Sequence, residues 1–151
     1  MTTVMDESPD SASVRLFAEL AGPPEAVFAF FTEPERLTRW WPAAAVADVR
    51  PGGAYHFSWP QMDWHLRGEY TVVEPPRALE FTWAWDHEPQ LPVRTVRVEL
   101  APDGGGTRVT VTQGTYGSSP AEQEDRNSHI AGWTHFLGEL SATLTGDGAR
   151  R

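Results

Sequence analysis

A chain of 151 residues, 40% of them hydrophobic and seven of them tryptophan, is long enough for one domain with a substantial core and too apolar to remain unfolded. Its formal charge of -9 at pH 7, with twelve arginines and no lysine, would repel a phosphate backbone and argues against nucleic acid as a partner. The lack of cysteine removes disulfides, thiol catalysis and zinc-thiolate sites; with no basic start leading into an apolar run and no stretch of membrane-spanning length, a soluble cytoplasmic protein is expected.

Residues 1–12, with Asp6, Glu7, Ser8, Pro9 and Asp10, lack periodicity and read as a flexible acidic tail. From Ser13, the alternation of Val14, Leu16, Ala18 and Leu20 predicts a strand. Gly22-Pro23-Pro24-Glu25 breaks it and opens a short helix carrying Val27, Phe28, Phe30 and Phe31. Thr32-Glu33-Pro34-Glu35 has the capping-box pattern of a second short helix with Leu37, Trp40 and Trp41, closed by Pro42. Neighbours on a helix point about 100° apart, so one of the two indoles is expected under the sheet edge and the other at a cavity mouth, unless both are structural.

A run of strands joined by tight turns follows. Val46 to Val49 meets the turn Arg50-Pro51-Gly52-Gly53, after which Tyr55, Phe57 and Trp59 alternate with His56 and Ser58. Trp64 to Val73 places Trp64, Leu66, Gly68, Tyr70 and Val72 on one face and His65, Arg67 and Glu69 on the other. Pro75-Pro76 makes a corner before Leu79, Phe81, Trp83 and Trp85, which alternate with Glu80, Thr82 and Ala84. After a loop through His87, a strand from Pro92 to Leu100 turns at Gly104-Gly105-Gly106 into Val109, Val111 and Gln113. Seven strands are expected in all.

Ser119-Pro120-Ala121-Glu122 combines a Ser cap, a Pro at the first helical position and a Glu three residues on. Ile130, Trp133, Leu137, Leu140 and Leu144 then form one stripe, and Gly146 supplies the stop. A break at Asn127 or Ser128, capping a shorter second helix, is the alternative. The expected organisation is α+β: a single domain over residues 13–146, with flexible tails at 1–12 and 147–151. Turn-linked strands pair as an antiparallel meander with one face to be covered, and only the last helix is long enough to cover it. A twisted sheet does not touch such a helix along its whole length, so a hollow can open between them.

The order of elements and several motifs resemble the activator-of-heat-shock-protein-90-ATPase-like family of the START and pollen-allergen (SRPBCC) superfamily. The matching stretches are Pro24-Glu25-Ala26-Val27-Phe28, Arg39-Trp40-Trp41-Pro42, Asp48-Val49-Arg50-Pro51-Gly52-Gly53, Gly68-Glu69-Tyr70, Pro75-Pro76-Arg77-Ala78-Leu79-Glu80-Phe81-Thr82-Trp83, Gly105-Gly106-Thr107-Arg108-Val109-Thr110-Val111 and Gly132-Trp133. The resemblance covers roughly Ser13 to Thr145. It implies a helix-grip fold: a curved seven-stranded antiparallel sheet wrapped around a long C-terminal helix, with two short helices after the first strand. It also implies a cavity that, across the superfamily, holds lipids, sterols, polyketides or other apolar molecules. Members with co-chaperone activity carry an additional N-terminal domain for which these residues leave no room, so the family name is not read as the function.

The expected cavity lining is Trp41, Tyr55, Phe57, Trp59, Trp64, Tyr70, Phe81, Trp83 and Trp85, with His129, Trp133, Phe136 and Leu137 from the long helix. These rings could instead fill a solid core, and a one-residue register error would turn part of the list outward. His65, Arg67, Glu69, Glu80, Arg97, Gln113, His129 and His135 are the polar candidates; His129 lies one turn from Trp133, and His135 and Glu139 read as an exposed pair. No metal-binding spacing, nucleophile elbow or phosphate loop occurs, so neither a metal nor a cofactor is expected. The leading expectation is a module that binds an apolar or aromatic small molecule. The alternatives are a polyketide cyclase or dehydratase-like enzyme, with Tyr70 and Arg97 or His129 as its polar groups, and an interaction protein. The last would dock a chaperone, or a second copy of itself, through a patch around Trp40 and Trp41.

Overall fold

The protein is described from a computed structural model covering residues 4–149, with side chains described to Gly146. The elements run β1 (Met5–Asp6), β2 (Ser13–Leu20), α1 (Pro24–Thr32), α2 (Pro34–Leu37), β3 (Ala44–Ala47), β4 (Ala54–Trp59), β5 (Trp64–Glu74), β6 (Ala78–Trp85), β7 (Arg94–Asp103), β8 (Gly106–Gly114) and α3 (Pro120–Ala149). Among the described residues, every strand joins one antiparallel sheet in the order β1-β2-β8-β7-β6-β5-β4-β3. The sheet is curved and unclosed, and α3 lies along it in the helix-grip arrangement. The first long strand pairs with the last, so α1 and α2 must carry the chain from β2 to β3 at the opposite edge.

The sheet has eight strands rather than the expected seven. The extra one, β1, falls inside the presumed acidic tail and pairs Met5 with Phe17 and Asp6 with Leu16. Two residues are too few to show alternation, which is why the pattern was silent there. Asp6 accepts hydrogen bonds from the Ser8 amide and hydroxyl, and Arg126 of α3 donates to the carbonyls of Ser13 and Asp10. At the other end, α3 continues past Gly146 to Ala149, so the stop expected at that glycine does not occur; Arg150 and Arg151 of the expected tail lie outside the described residues. The helix is unbroken at Asn127 and Ser128. The Ser119 hydroxyl accepts from the Glu122 amide at 3.2 Å, while the Glu122 carboxylate turns to the Gly117 amide at 3.0 Å instead of the cap itself.

The core follows from the alternation. Val14, Leu16, Ala18, Leu20, Val96, Val98, Leu100, Val109 and Val111 all point inward and are buried. Against them lie Leu137, Leu140 and Leu144 of α3 and the phenylalanines of α1. Two local expectations change. The ladder between β5 and β6 shifts register between Tyr70 and Val72, so Val73 rather than Val72 lies opposite Leu79; the bulge transfers the inward position by one residue. Helix α2 is a single turn with no side-chain cap bond, because the Thr32 hydroxyl bonds back to the Phe28 carbonyl, and it ends at Leu37. Trp40 and Trp41 therefore follow the helix, and freed from helical geometry both turn inward, 4% and 8% exposed. Among the described residues, these two indoles therefore present no exposed apolar patch.

Gly68 marks a second special position in β5. A Cβ there would coincide with the Thr82 carbonyl oxygen of β6, so only glycine lets the strands approach this closely. That carbonyl instead accepts a hydrogen bond from the Tyr55 hydroxyl at 2.5 Å, and the Glu69 amide donates to the Thr82 hydroxyl. Among the described residues no helix is long and apolar enough to cross a membrane.

Candidate functional site

Where the first half of α3 faces β4–β6, the two layers part and leave a cavity of about 600 Å³. Its sheet wall comes from Trp59 and Trp64, on either side of a 3-10 turn at Pro60–Met62, and from Trp83 and Trp85 at the end of β6. Trp41 closes the inner end, and Trp133 and Phe136 descend from α3. Six of the chain's seven tryptophans thus line one space. They form a chain of ring contacts: Trp41 stacks on Trp83 at 6.0 Å and meets Trp133 at 5.1 Å, Trp83 stands perpendicular to Trp85 at 5.7 Å, and Trp85 meets Trp59 and Trp64 at 5.4 and 6.0 Å. The inner three are buried, whereas Trp64 at the mouth is 40% exposed.

Of the candidate residues, Trp41, Trp59, Trp64, Trp83, Trp85, His129, Trp133 and Phe136 line the cavity. Tyr55, Phe57, Tyr70, Phe81 and Leu137 do not. They lie in the packed core, with Tyr55 in tilted contact with Phe57 and Tyr70 and edge-on to Phe81, and its hydroxyl committed to Thr82. The four strand positions share the inward face with the lining tryptophans of the sheet but sit, like Leu137 of α3, where helix and sheet are already in contact, a distinction that alternation does not carry.

The sequence reading missed the loop wall of Met62, His87, Glu88, Gln90 and Leu91 and the helix wall of Ala121, Glu124, Asp125, Ser128 and Gly132. Ala121, Asp125, Ser128 and Gly132 recur at spacings of three and four. They form a stripe beside the leucine stripe, made of small and polar residues that a search for hydrophobic periodicity passes over. Nothing lies within 4 Å of where a Gly132 side chain would begin, so the missing side chain is itself part of the open volume.

The floor carries a buried polar cluster. Arg94, at the start of β7 and only 2% exposed, holds Asp125 at 2.8 Å and Glu122 at 3.1 Å, donates to the Thr115 carbonyl and covers the Tyr116 ring at 4.1 Å. The Tyr116 hydroxyl lies 2.6 Å from His129 Nδ1, and His129 Nε2 lies 3.5 Å from Asp125 Oδ1. Burial pushes the His129 pKa down to about 4 and Arg94 adds to this, against the opposing pull of Asp125. The ring is therefore neutral near pH 7. With a carboxylate facing Nε2, we assign the proton to that nitrogen, which leaves Nδ1 to accept the Tyr116 hydroxyl. Burial also raises the Tyr116 phenol well above its ordinary value, so it stays a donor. Trp133 Nε1 donates to Gln113 Oε1 at 2.9 Å, while Gln113 Nε2 and Trp83 Nε1 are buried without a partner.

The remaining polar candidates lie elsewhere. Arg97 pairs with Glu80 and Glu99 on the outer face of the sheet, and Arg67 pairs there with Asp86. His65 bonds to His56 and Asp63, Glu69 is exposed, and His135 faces Glu139 at 3.9 Å on the exposed side of α3. The Tyr70 hydroxyl is buried, unpartnered and away from the cavity, so Tyr70 and Arg97 are not brought together with His129. Among the described residues, no three His, Asp or Glu side chains form a group that could hold a metal ion.

The sequence profile of the activator of Hsp90 ATPase homolog 1-like proteins matches residues 21–145. The chain belongs to this family. Solved structures with the same fold include Ms6760 from Mycobacterium smegmatis, 23% identical at a TM-score of 0.76 over 94% of this chain and 97% of that one. CV1439 from Chromobacterium violaceum is 26% identical at a TM-score of 0.73, over 89% and 98%. DynU16, a protein in the dynemicin biosynthetic locus, is 25% identical at a TM-score of 0.77, over 91% of this chain and 48% of that one. No curated protein matches the sequence. For this activator of Hsp90 ATPase homolog 1-like chain, membership accounts for the helix-grip architecture.

Proposed function

We propose that this protein is a binding module that encloses an apolar or aromatic small molecule between α3 and the sheet. The observation that carries the reading is the gathering of six tryptophans around one cavity of about 600 Å³, a size suited to a ligand of several rings. A core that served packing alone would be filled by aliphatic side chains to native density; here flat rings with polar edges surround open volume. Burying ~300 Å² of ligand apolar surface contributes on the order of 7 kcal/mol before ordering costs, enough for micromolar binding.

A second reading, an enzyme acting on a bound carbonyl compound, draws support from one arrangement. His129 lines the cavity as a neutral ring whose Nδ1 is held by Tyr116, and a ligand oxygen would compete with Asp125, 3.5 Å away, for the proton on Nε2. The reaction would proceed without the Tyr70 and Arg97 groups considered from sequence.

The test is titration with the uncharged dye N-phenyl-1-naphthylamine, followed by quenching of tryptophan emission, together with native mass spectrometry of the purified chain. Binding at micromolar concentration is expected, and Gly132→Leu, which places a side chain into open volume, should abolish it while leaving the fold intact. Equal binding by the plugged variant overturns the reading.

A further inference from the structure

The cavity is sorted by charge as well as by polarity. Among the described residues neither arginine nor lysine lines it, while Glu88, Glu124 and Asp125 do. Asp125 is matched by Arg94 at 2.8 Å, but Arg94 is also held by Glu122, so that cluster does not carry net positive charge toward the space. His129 adds none near neutral pH, since its buried ring is uncharged there. Glu88 and Glu124 belong to no ion pair among the described residues, leaving two uncompensated carboxylates at the cavity wall. The guanidiniums of Arg36 and Arg108 cover Phe30 and Phe17, away from the indoles of the cavity, and that of Arg94, which lies beside Trp83 and Trp85, is engaged by Tyr116, Asp125 and Glu122.

Indole faces are the strongest of the side-chain π surfaces for a cation, because their quadrupole presents negative charge above and below the ring. Several such faces around one space, with unpaired carboxylates beside them, form an environment that favours positive charge on a flat or alkylated frame and disfavours a carboxylate or phosphate. The net charge of -9 adds a long-range field of the same sign. We propose that the occupant of the cavity is a planar organic cation, a protonated or quaternary amine on an aromatic frame, held by the indole faces and balanced by Glu88 and Glu124. This rests on the binding-module reading and narrows it to one ligand class.

The experiment titrates the full chain with three probes of similar size. They are thioflavin T, a benzothiazolium cation; its uncharged benzothiazole analogue lacking the ring N-methyl group; and the anion 8-anilinonaphthalene-1-sulfonate. Thioflavin T is expected to bind about tenfold more tightly than its uncharged analogue, with the anion weakest and only the cation weakened by added salt. In Glu88→Gln/Glu124→Gln the preference should fall below about threefold with the affinity for the uncharged probe unchanged. An uncharged probe that equals the cation, an anion that binds most tightly, or a preference that survives the double substitution overturns the proposal. If the uncharged probe binds and Gly132→Leu blocks it while the cation shows no advantage, only the charge assignment fails. If no probe binds, the cavity reading fails with it.

Discussion

The Tyr116 hydroxyl and His129 Nδ1 approach to 2.6 Å inside a pocket closed by Arg94 and Asp125, joining the segment after β8 to the first half of α3. Because the bond is buried, its loss leaves a ring nitrogen without a partner. Tyr116→Phe is expected to lower stability by about 1–2 kcal/mol in urea unfolding, with an unchanged m-value.

The same histidine makes stability depend on pH with a definite sign. Its folded pKa, pushed down to about 4, lies below the ordinary value of 6.5, so the unfolded chain takes up the proton first. Stability is full above pH 6.5 and falls as the pH drops from there toward 4, by about 3 kcal/mol across the window. The carboxylate of Asp125 and the guanidinium of Arg94 are the charged groups that act on the ring, in opposite directions. Urea midpoints measured from pH 7 to 4.5 should show this slope in the native sequence and lose most of it in His129→Gln.

Arg94 is paired to two carboxylates, the partly exposed Glu122 and the buried Asp125. Arg94→Met is expected to cost about 3–5 kcal/mol because Asp125 is left buried and charged. Arg94→Met/Asp125→Leu should recover part of that loss, which thermal melting of the two variants would read directly.

Two glycines predict opposite outcomes. Gly68→Ala forces a Cβ onto the Thr82 carbonyl and disturbs the Tyr55 bond to it, so a loss of about 2–3 kcal/mol is expected in chemical denaturation. Gly132→Leu meets open space on α3 and gains helix propensity, so stability should hold or rise by about 0.5–1 kcal/mol even as the cavity is blocked.

Much of the architecture was legible in the chain because it rests on local periodicity. The two-residue alternation of Val14 through Leu20 and of Leu79 through Trp85 marks inward faces wherever a strand is covered, and both survive in the structure. Strand β1 and the bulge after Tyr70 were invisible because each is a pairing relation with a distant strand. Trp40 and Trp41 were placed on a helix that ends before them.

By itself the sequence determined that an antiparallel meander must be covered by one long terminal helix, since no other segment could bury so many inward aromatic and aliphatic side chains. Only the tertiary structure decided which of those side chains meet a partner and which face open volume. Tyr55 and Trp59 sit on the same strand face, yet one is sealed in the core and the other lines the cavity. The separation of helix from sheet varies along α3, and it depends on residues such as Ser128, Gly132 and Arg94, which carry no hydrophobic signal of their own.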